Sequence, residues 1–479
     1  MASIVCLTFV DWSHRSHVHS SWERSVEAQD LLGEWWIPGQ SSEPFEGTLH
    51  CSESGVLTLE RASVTPEVWK KHVENPSMVF PLICGHTEWG KSISLLHAVQ
   101  NGRVYGVWQA LVGVTLSTSD DKAFSSVTLQ PRGLLGWLGE SGLANDTSRN
   151  DGRTRVAITY DQPAEVIVAV DDASVRFVNT YSMHVSRARG EIREVAQVVL
   201  SRESPLSHEE WLEGYVKPMM AFFSFVTGVA LTTETLDLRS PLVMMELPGG
   251  RRVQAPIAVL FRKPAEDPDP RDPHIFPDAL FTALEVSDGL ESIVQRWFGL
   301  HRDMTLALDL LLANRRPAGL RVNGRFMNAV SALEIAHRTL YRSQMESPSQ
   351  HRARVDAIIG AVPVEYRRWL RGRLQFSNEP SLSVRLHELL DDHEPYLEAA
   401  IGDPQKFTTS VVSTRNYFVH GTGRKNVMAD DIGWLRRATT LLEMLLECSI
   451  LERMQPAQMD LRANVSNTLR FLELSKNPL

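Results

Sequence analysis

The spacing of apolar residues changes once along this chain, near residue 278. Before that point, short runs alternate apolar and polar residues, as half-buried strands do, and turn pairs such as Asn101-Gly102 separate them. From Asp278 onward, apolar residues recur every three or four positions, which is typical of amphipathic helices. The sequence therefore predicts an α+β multidomain protein, with a β-rich N-terminal region followed by an all-α helical bundle.

The two regions meet near a segment rich in proline and acidic residues. Residues 264–277 hold five prolines and four acids, which predicts a surface loop or linker. We predict a β-rich region over residues 1–290, which a break near residue 150 would divide into two subdomains. Residues 291–479 should form the all-α domain, with five or six helices.

The charge of the chain is unevenly distributed. The net charge is −9, and residues 1–300 carry 25 Lys/Arg against 38 Asp/Glu, whereas residues 301–479 carry 24 against 20. The C-terminal region is therefore the better candidate to meet a polyanion. The alternative is that a balance of +4 over this length has no functional meaning.

Cysteine spacing and hydropathy indicate the cellular compartment in which the protein is expected. The four cysteines stand far apart, which favours neither a zinc ribbon nor a disulfide framework. No stretch approaches the roughly 18 apolar residues that span a bilayer, and the N-terminus lacks a signal-peptide pattern. We expect a cytoplasmic protein without a membrane partner, a metal or a cofactor. His14, His17 and His19 are close together, but no acidic or cysteine ligand frames them.

One short motif in the helical region carries chemistry. The segment from Arg415 to His420 reads Arg-Asn-Tyr-Phe-Val-His and resembles the RxxxxH motif of HEPN ribonucleases, including the polar residue after the arginine. The resemblance implies RNA as substrate, with Arg415, Asn416 and His420 as catalytic residues. Such cleavage needs a proton acceptor or donor near neutral pH and a fixed planar cation beside the phosphate, which histidine and arginine supply.

Two observations weaken the motif on its own. Arg296 and His301 fit the same pattern, which we interpret as a coincidence because Gly299 interrupts it. The structural alternative for Arg415 is an ion pair, and for His420 a position beside the last carbonyl groups of a helix before Gly421. Residues five apart on a helix are also separated by about 140°. HEPN-like proteins are thought to bring two motifs together by dimerising, so the resemblance implies a homodimer.

A longer resemblance covers most of the chain. Residues 325–338, with Ala332-Leu333-Glu334 and Arg338, and residues 382–390 resemble helices of Apea-like HEPN domains. Residues 33–38, 45–49, 82–87 and 90–95, and Phe124 with residues 134–137, resemble the ApeA N-terminal domain, whereas residues 1–30 and 343–355 match nothing in the family. The resemblance implies a bacterial anti-phage protein that cleaves RNA and acts by abortive infection.

Supporting residues around the motif have two readings each. Glu334 and Arg338 are four apart, so they could form an ion pair on one helix face, or Glu334 could hold Arg415 or His420 in position. Four arginines flank Trp369 and could grip RNA while the ring stacks on a base: Arg367, Arg368, Arg371 and Arg373. We favour a solvated helix end with Trp369 packed inward.

Three functions compete at this point. The first is a metal-independent RNA endonuclease whose N-terminal region senses a phage-derived trigger or restrains the nuclease. The second is a non-catalytic HEPN-type scaffold that dimerises and binds RNA or a partner. The third is a nucleotide-dependent regulator, because Gly85–Ser92 satisfies the P-loop spacing. We disfavour the third because Ser92 continues into an alternating strand pattern, where a P-loop enters a helix.

Overall fold

The computed structural model describes most of the chain in two compact units. The described residues are 29–39, 44–63, 78–150, 153–247, 249–262, 275–316, 319–341, 344–421 and 425–479. His14, His17 and His19, and most of the predicted linker, lie outside them. The first unit comprises Met1–Leu135, Glu140–Met220 and Leu231–Pro273, and the second comprises Gly136–Gly139, Ala221–Ala230 and His274–Leu479.

The first unit is built mainly of antiparallel strands. Within the described residues the strands are β1 Gln29–Trp36, β2 Phe45–Cys51, β3 Leu57–Arg61, β4 Val79–Thr87, β5 Ser92–Asn101, β6 Val104–Val112, β7 Phe124–Pro131, β8 Leu143–Asn150, β9 Arg153–Tyr160, β10 Val166–Val170, β11 Ala173–Val185, β12 Gly190–Leu206, β13 Thr233–Glu246 and β14 Arg252–Phe261. The β-rich character predicted from the alternating pattern is confirmed.

Six of these strands close into a barrel. The ring runs β6-β3-β2-β1-β4-β5 and returns to β6, and every pairing in it is antiparallel. Residues 104–107 of β6 pair with β3, whereas residues 109–112 pair with β14. One strand therefore belongs both to the barrel and to the sheet that continues through β14, β13, β7, β12, β11 and β10.

Inward-facing residues of the ring fill the barrel. The ring of Trp35 is fully buried and its indole nitrogen donates to the carbonyl oxygen of Gly47 at 3.0 Å. A Cβ added at Gly85 would lie 2.3 Å from the Trp35 ring, so only glycine lets β4 approach this side chain. The core around Trp35 also contains Phe45, Leu49, Leu59, Ile83, Ile93, Leu95 and Tyr105.

The second unit is helical, as the three- and four-residue spacing predicted. The helices of the described chain are α1 Leu134–Leu138, α2 His208–Trp211, α3 Lys217–Thr227, α4 Leu290–Asn314, α5 Val322–Leu340, α6 Pro348–Gly360, α7 Val364–Leu374, α8 Leu382–Leu397, α9 Pro404–His420, α10 Ile432–Met454 and α11 Leu469–Leu474. Seven described helices of eleven or more residues follow residue 289, so the expected five or six was too low. Helices α6 and α7 were not predicted as separate elements.

Helix α10 forms the centre of the helical unit, and fifteen of its residues are buried. Two segments from earlier in the chain complete the core around it. The Trp137 ring packs edge-on against Phe222 and Phe223, and Phe225 lies 5.2 Å from the ring of Trp297 on α4. The helical unit is therefore not continuous in sequence.

A buried ionic cluster lies in the same core. Glu447 of α10 is fully buried and accepts hydrogen bonds from Arg315 at 2.6 Å and from Arg470 at 2.6 and 2.8 Å. Arg315 also donates to the main-chain oxygens of Ser224 and Phe225. The cluster ties α10, the end of α4 and residues of the 221–230 segment together.

Candidate active site

Helix α9 carries the Arg415–His420 motif, and both of its ends are set by local sequence. Asp403 caps the first turn by accepting from the main-chain N–H of Lys406 at 2.9 Å, and Pro404 follows as the first helical residue. The helix ends at His420 because Gly421 takes a left-handed conformation with φ of +67°. The motif therefore occupies the last turns of the helix.

The buried face of α9 fixes which motif residues are accessible. Phe407, Val411 and Thr414 are buried in the bundle, and the Phe418 ring lies 6.1 Å from Phe326 of α5. Asn416 and His420, in contrast, are exposed. The polar residues of the motif thus face outward, where a large substrate can reach them.

Arg415 is held by a partner on α5. Its Nη2 donates to Oε2 of Glu334 at 3.3 Å, and its Nη1 donates to Oδ1 of the neighbouring Asn416 at 3.2 Å. The side chains of Arg415 and Glu334 are 30% and 21% exposed. The guanidinium is therefore oriented while part of it stays open to solvent.

Arg338 is directed elsewhere. It pairs with Glu379 at 3.1 Å, and both side chains are largely exposed. Glu334 contacts the motif helix, whereas Arg338, one turn further along α5, contacts the segment that follows α7. The contact of Glu334 with Arg415 is observed, but the positioning role of Glu334 stays a prediction.

His420 stands at the exposed end of α9. Among the described residues, its ring has no hydrogen-bond or ion-pair partner. Arg415 and His420 are five residues apart on one regular helix, so within a single chain they are turned about 140° from each other.

A polar triad with two buried members, His337 and Arg385, lies near Glu334, and sequence reasoning did not find it. Nη1 of Arg385 lies 2.7 Å from Nδ1 of His337, whose Nε2 lies 2.7 Å from Oε2 of Glu388. Arginine can only donate, so Nδ1 accepts and Nε2 carries the proton donated to Glu388. Burial lowers the pKa of His337 below its ordinary value. The hint in the sequence was His337, which shares the buried face of α5.

The competing motifs do not form comparable sites. His301 is buried beside Trp297, so the Arg296–His301 match does not present its histidine to solvent. Gly85–Ser92 spans the end of β4, a tight turn and the start of β5, without the helix that a P-loop requires.

The expected inward packing of Trp369 was wrong. Its side chain is 61% exposed, and no residue of α7 is buried. The physical reason is that α6 and α7 pack mainly on each other, and Ile359 is their one buried described residue. Arg367 is tied down, since its Nε donates to Val362 O at 2.8 Å and its Nη2 to Gly360 O at 3.1 Å.

The structure combines a β-rich region that contains a barrel with a helical domain. Residues 327–458 match the Apea-like HEPN family, so the helical domain is of HEPN type. Residues 30–297, more than half of the chain, match ApeA N-terminal domain 1. The chain therefore belongs to the ApeA-like family. No curated protein and no solved structure matches it. Among the described residues, none of the helices has the length and apolarity to cross a bilayer.

Proposed function

We propose that this protein is an anti-phage defence ribonuclease of HEPN type, which cleaves RNA without a metal and causes abortive infection. The observation that carries the proposal is the contact between Arg415 and Glu334 at an exposed helix end that also presents Asn416 and His420. The family adds support, since HEPN domains are commonly ribonucleases that bind RNA and often dimerise.

The reaction that fits these groups is transesterification within RNA. The 2′-oxygen attacks the adjacent phosphorus, the bond to the 5′-oxygen breaks, and the products end in a 2′,3′-cyclic phosphate and a 5′-hydroxyl. One proton leaves the 2′-hydroxyl and one reaches the departing 5′-oxygen. His420 transfers one of them, and Arg415 stabilises the negative charge that builds on the phosphoryl oxygens. Asn416 orients the phosphate or the imidazole.

A homodimer supplies the second proton-transferring group. Arg415 and His420 diverge by about 140° on one helix, so one chain does not direct both at one phosphate. Two α9 ends that face each other in a dimer would place a second arginine and histidine in one cleft. The proposal therefore requires a dimer for activity, in which each protomer contributes motif residues to a shared cleft.

The β-rich region is assigned the sensing role. A nuclease that harms its own cell must be restrained, and residues 1–290, with the break near residue 150, are the part left to bind a phage-derived trigger. This assignment, like the boundary at 290/291, stays a prediction. It is tested by comparing cleavage by the full chain with and without phage lysate.

The deciding experiment is cleavage of RNA in EDTA by the parent protein and by His420→Ala, with end-group analysis of the fragments. The expected result is cleavage by the parent alone, leaving cyclic-phosphate and 5′-hydroxyl ends. Equal cleavage by both proteins would reject the role of His420. Absence of cleavage by either protein, with lysate present, would favour the alternative of a non-catalytic dimerising or RNA-binding scaffold.

A further inference from the structure

Helices α6 and α7 enclose a cleft that the motif does not use. A capping box of Ser347 and Gln350 starts α6, and the two hydrogen bonds of Arg367 to main-chain oxygens fix the turn into α7. The cleft has a volume of about 930 Å³, which is near the upper end for ligand sites. Among its lining residues are Arg352, Arg368, Arg371, Ile359, Val364 and Phe376.

Arginines outnumber carboxylates in the lining of this cleft. Among the described residues, Arg352, Arg368 and Arg371 have no acidic partner. Glu379 also lines the cleft, but Arg338 already pairs with it at 3.1 Å. Three guanidinium groups that line one cleft without a carboxylate partner of their own favour a ligand with several phosphates, because their planar donors match phosphate oxygens.

An exposed aromatic ring lies among these arginines. Phe376 lines the cleft and is 66% exposed, although it is apolar and adjoins Ile359 and Val364 in the lining. Exposed aromatic rings beside cationic groups are the usual platform on which single-stranded nucleic acids stack their bases. Trp369 and Arg373 lie on α7, as Arg368 and Arg371 do, but do not line the cleft.

The cleft adjoins the candidate active site through one helix. Arg338 contacts Glu379 at the cleft, and Glu334, four residues earlier on α5, contacts Arg415. Four helical residues span about 6 Å along the axis. The side of the cleft at Glu379 is therefore linked through α5 to Glu334, which contacts the motif arginine.

We propose that the cleft between α6 and α7 binds a segment of single-stranded RNA, with phosphates on Arg352, Arg368 and Arg371 and a base on Phe376. This inference rests on the proposed function and names the form of RNA that it takes. Single strands are favoured over duplex, because a duplex keeps its bases stacked and offers none to Phe376.

The test uses the full chain carrying His420→Ala, so that RNA stays intact, and a fluorescently labelled single-stranded RNA of mixed sequence. Adding Arg368→Gln and Arg371→Gln together should weaken binding at least ten-fold. The negative slope of log affinity against log salt concentration should also become shallower by about 1.4, since two phosphate contacts are lost. Phe376→Leu should weaken binding about ten-fold without changing that slope. Arg373→Gln is the matched control on the same helix and should change binding less than two-fold.

Three outcomes separate this inference from the proposed function. If the double variant binds RNA as the parent does and has a normal circular dichroism spectrum, the cleft is not the RNA-binding site, even if His420→Ala abolishes cleavage. Loss of binding by the double variant while His420→Ala still cleaves supports the cleft and rejects the proposed catalysis. Equal affinity for the same RNA as a duplex, or binding of AMP and ATP without binding of single strands, overturns the assignment to single-stranded RNA.

Discussion

Nη2 of Arg415 donates to Oε2 of Glu334 across 3.3 Å, and this contact joins α9 to α5 over 81 positions of sequence. We predict that it sets the direction of the motif arginine, because Arg415 follows the buried Thr414 at the surface of the bundle. The partner of Glu334 is thus on a different helix, rather than the Arg338 that shares its own.

Replacing Glu334 tests whether this contact positions Arg415. Glu334→Gln removes the charge while keeping the shape, so Arg415 should lose its fixed direction. We expect kcat for RNA cleavage to fall about ten- to a hundred-fold with little change in KM. Glu334→Asp should recover part of the loss. The exposed Glu394→Gln on α8 serves as control, and an equal loss there would remove the specific role of Glu334.

The two RxxxxH matches give a paired test of the motif. Arg415→Lys keeps a positive charge but loses the planar pair of donors, and we expect cleavage to fall about a hundred-fold. Arg296→Lys should leave cleavage unchanged, because Arg296 contacts the main-chain oxygen of Gln455, and His301, the histidine of this second match, is buried. Equal losses in initial rate would mean that the motif carries no specific chemistry.

The buried cluster around Glu447 predicts a large effect on stability. Glu447→Gln leaves Arg315 and Arg470 without their carboxylate in the core, so we expect the free energy of unfolding to fall by about 3–5 kcal/mol. Glu452→Gln breaks a partly exposed pair with Arg462 and should lower it by less than about 1 kcal/mol. Denaturant unfolding of both variants provides the measurement, and similar values would contradict the interpretation.

A buried histidine on α8 makes the helical unit sensitive to acid. His393 is fully buried against Ser449, and burial lowers its pKa to about 4, whereas an unfolded histidine has a pKa near 6.5. Between these values the unfolded chain binds one more proton, so stability is lost as pH falls from about 6.5 to 4. The loss amounts to about 3 kcal/mol for this group.

Comparison of variants isolates this titration. His393→Gln should reduce the difference in unfolding free energy between pH 7 and pH 4, whereas the exposed His184→Gln should not. The variant is compared with the parent because Asp237 has the opposite effect on stability. Burial raises the pKa of Asp237 to about 6, so protonation of this group favours the folded chain as pH falls. An unchanged pH dependence in His393→Gln would show that this histidine is not buried in its neutral form.

Two helix-end glycines should respond oppositely to alanine. Gly421 has φ of +67°, and no atom of the described residues lies near an added Cβ, so we expect Gly421→Ala to cost about 1 kcal/mol through backbone strain. Gly360 ends α6 in a conformation open to any residue, so Gly360→Ala should be neutral or stabilising by up to about 1 kcal/mol. Thermal unfolding distinguishes them, and a destabilised Gly360→Ala would contradict the argument.

Local signals in the sequence predicted local structure well. The hairpin that Asn101-Gly102 predicted is present between β5 and β6: Asn101 pairs with Val104, and Gly102, with φ of +64°, and Arg103 form the turn. Ser207 and Glu210, which are three residues apart, form a capping box at the start of α2. These features depend on residues within a few positions of one another, so they can be predicted from the local sequence.

Features that depend on distant pairing could not be predicted in the same way. The barrel closes because β6 pairs with both β5 and β3, and alternation of apolar residues is the same in an open sheet. Helices α6 and α7 lack an apolar face, which hid them, although the capping pair Ser347 and Gln350 was visible. The Arg415–Glu334 contact was one of two alternatives that spacing alone left open.

The inclusion of residues 136–139 and 221–230 in the helical unit has a consequence for how this protein can be divided. Phe222 and Phe225 pack on Trp297 of α4, and Trp137 packs on Phe222 in turn. A single proteolytic cut near residue 290 would strip the downstream fragment of those rings. Separation of the downstream helices by a protease, or by transfer of their coding segment to another gene, would thus leave Trp297 without these ring partners, so we expect the chain to be inherited and regulated as a whole.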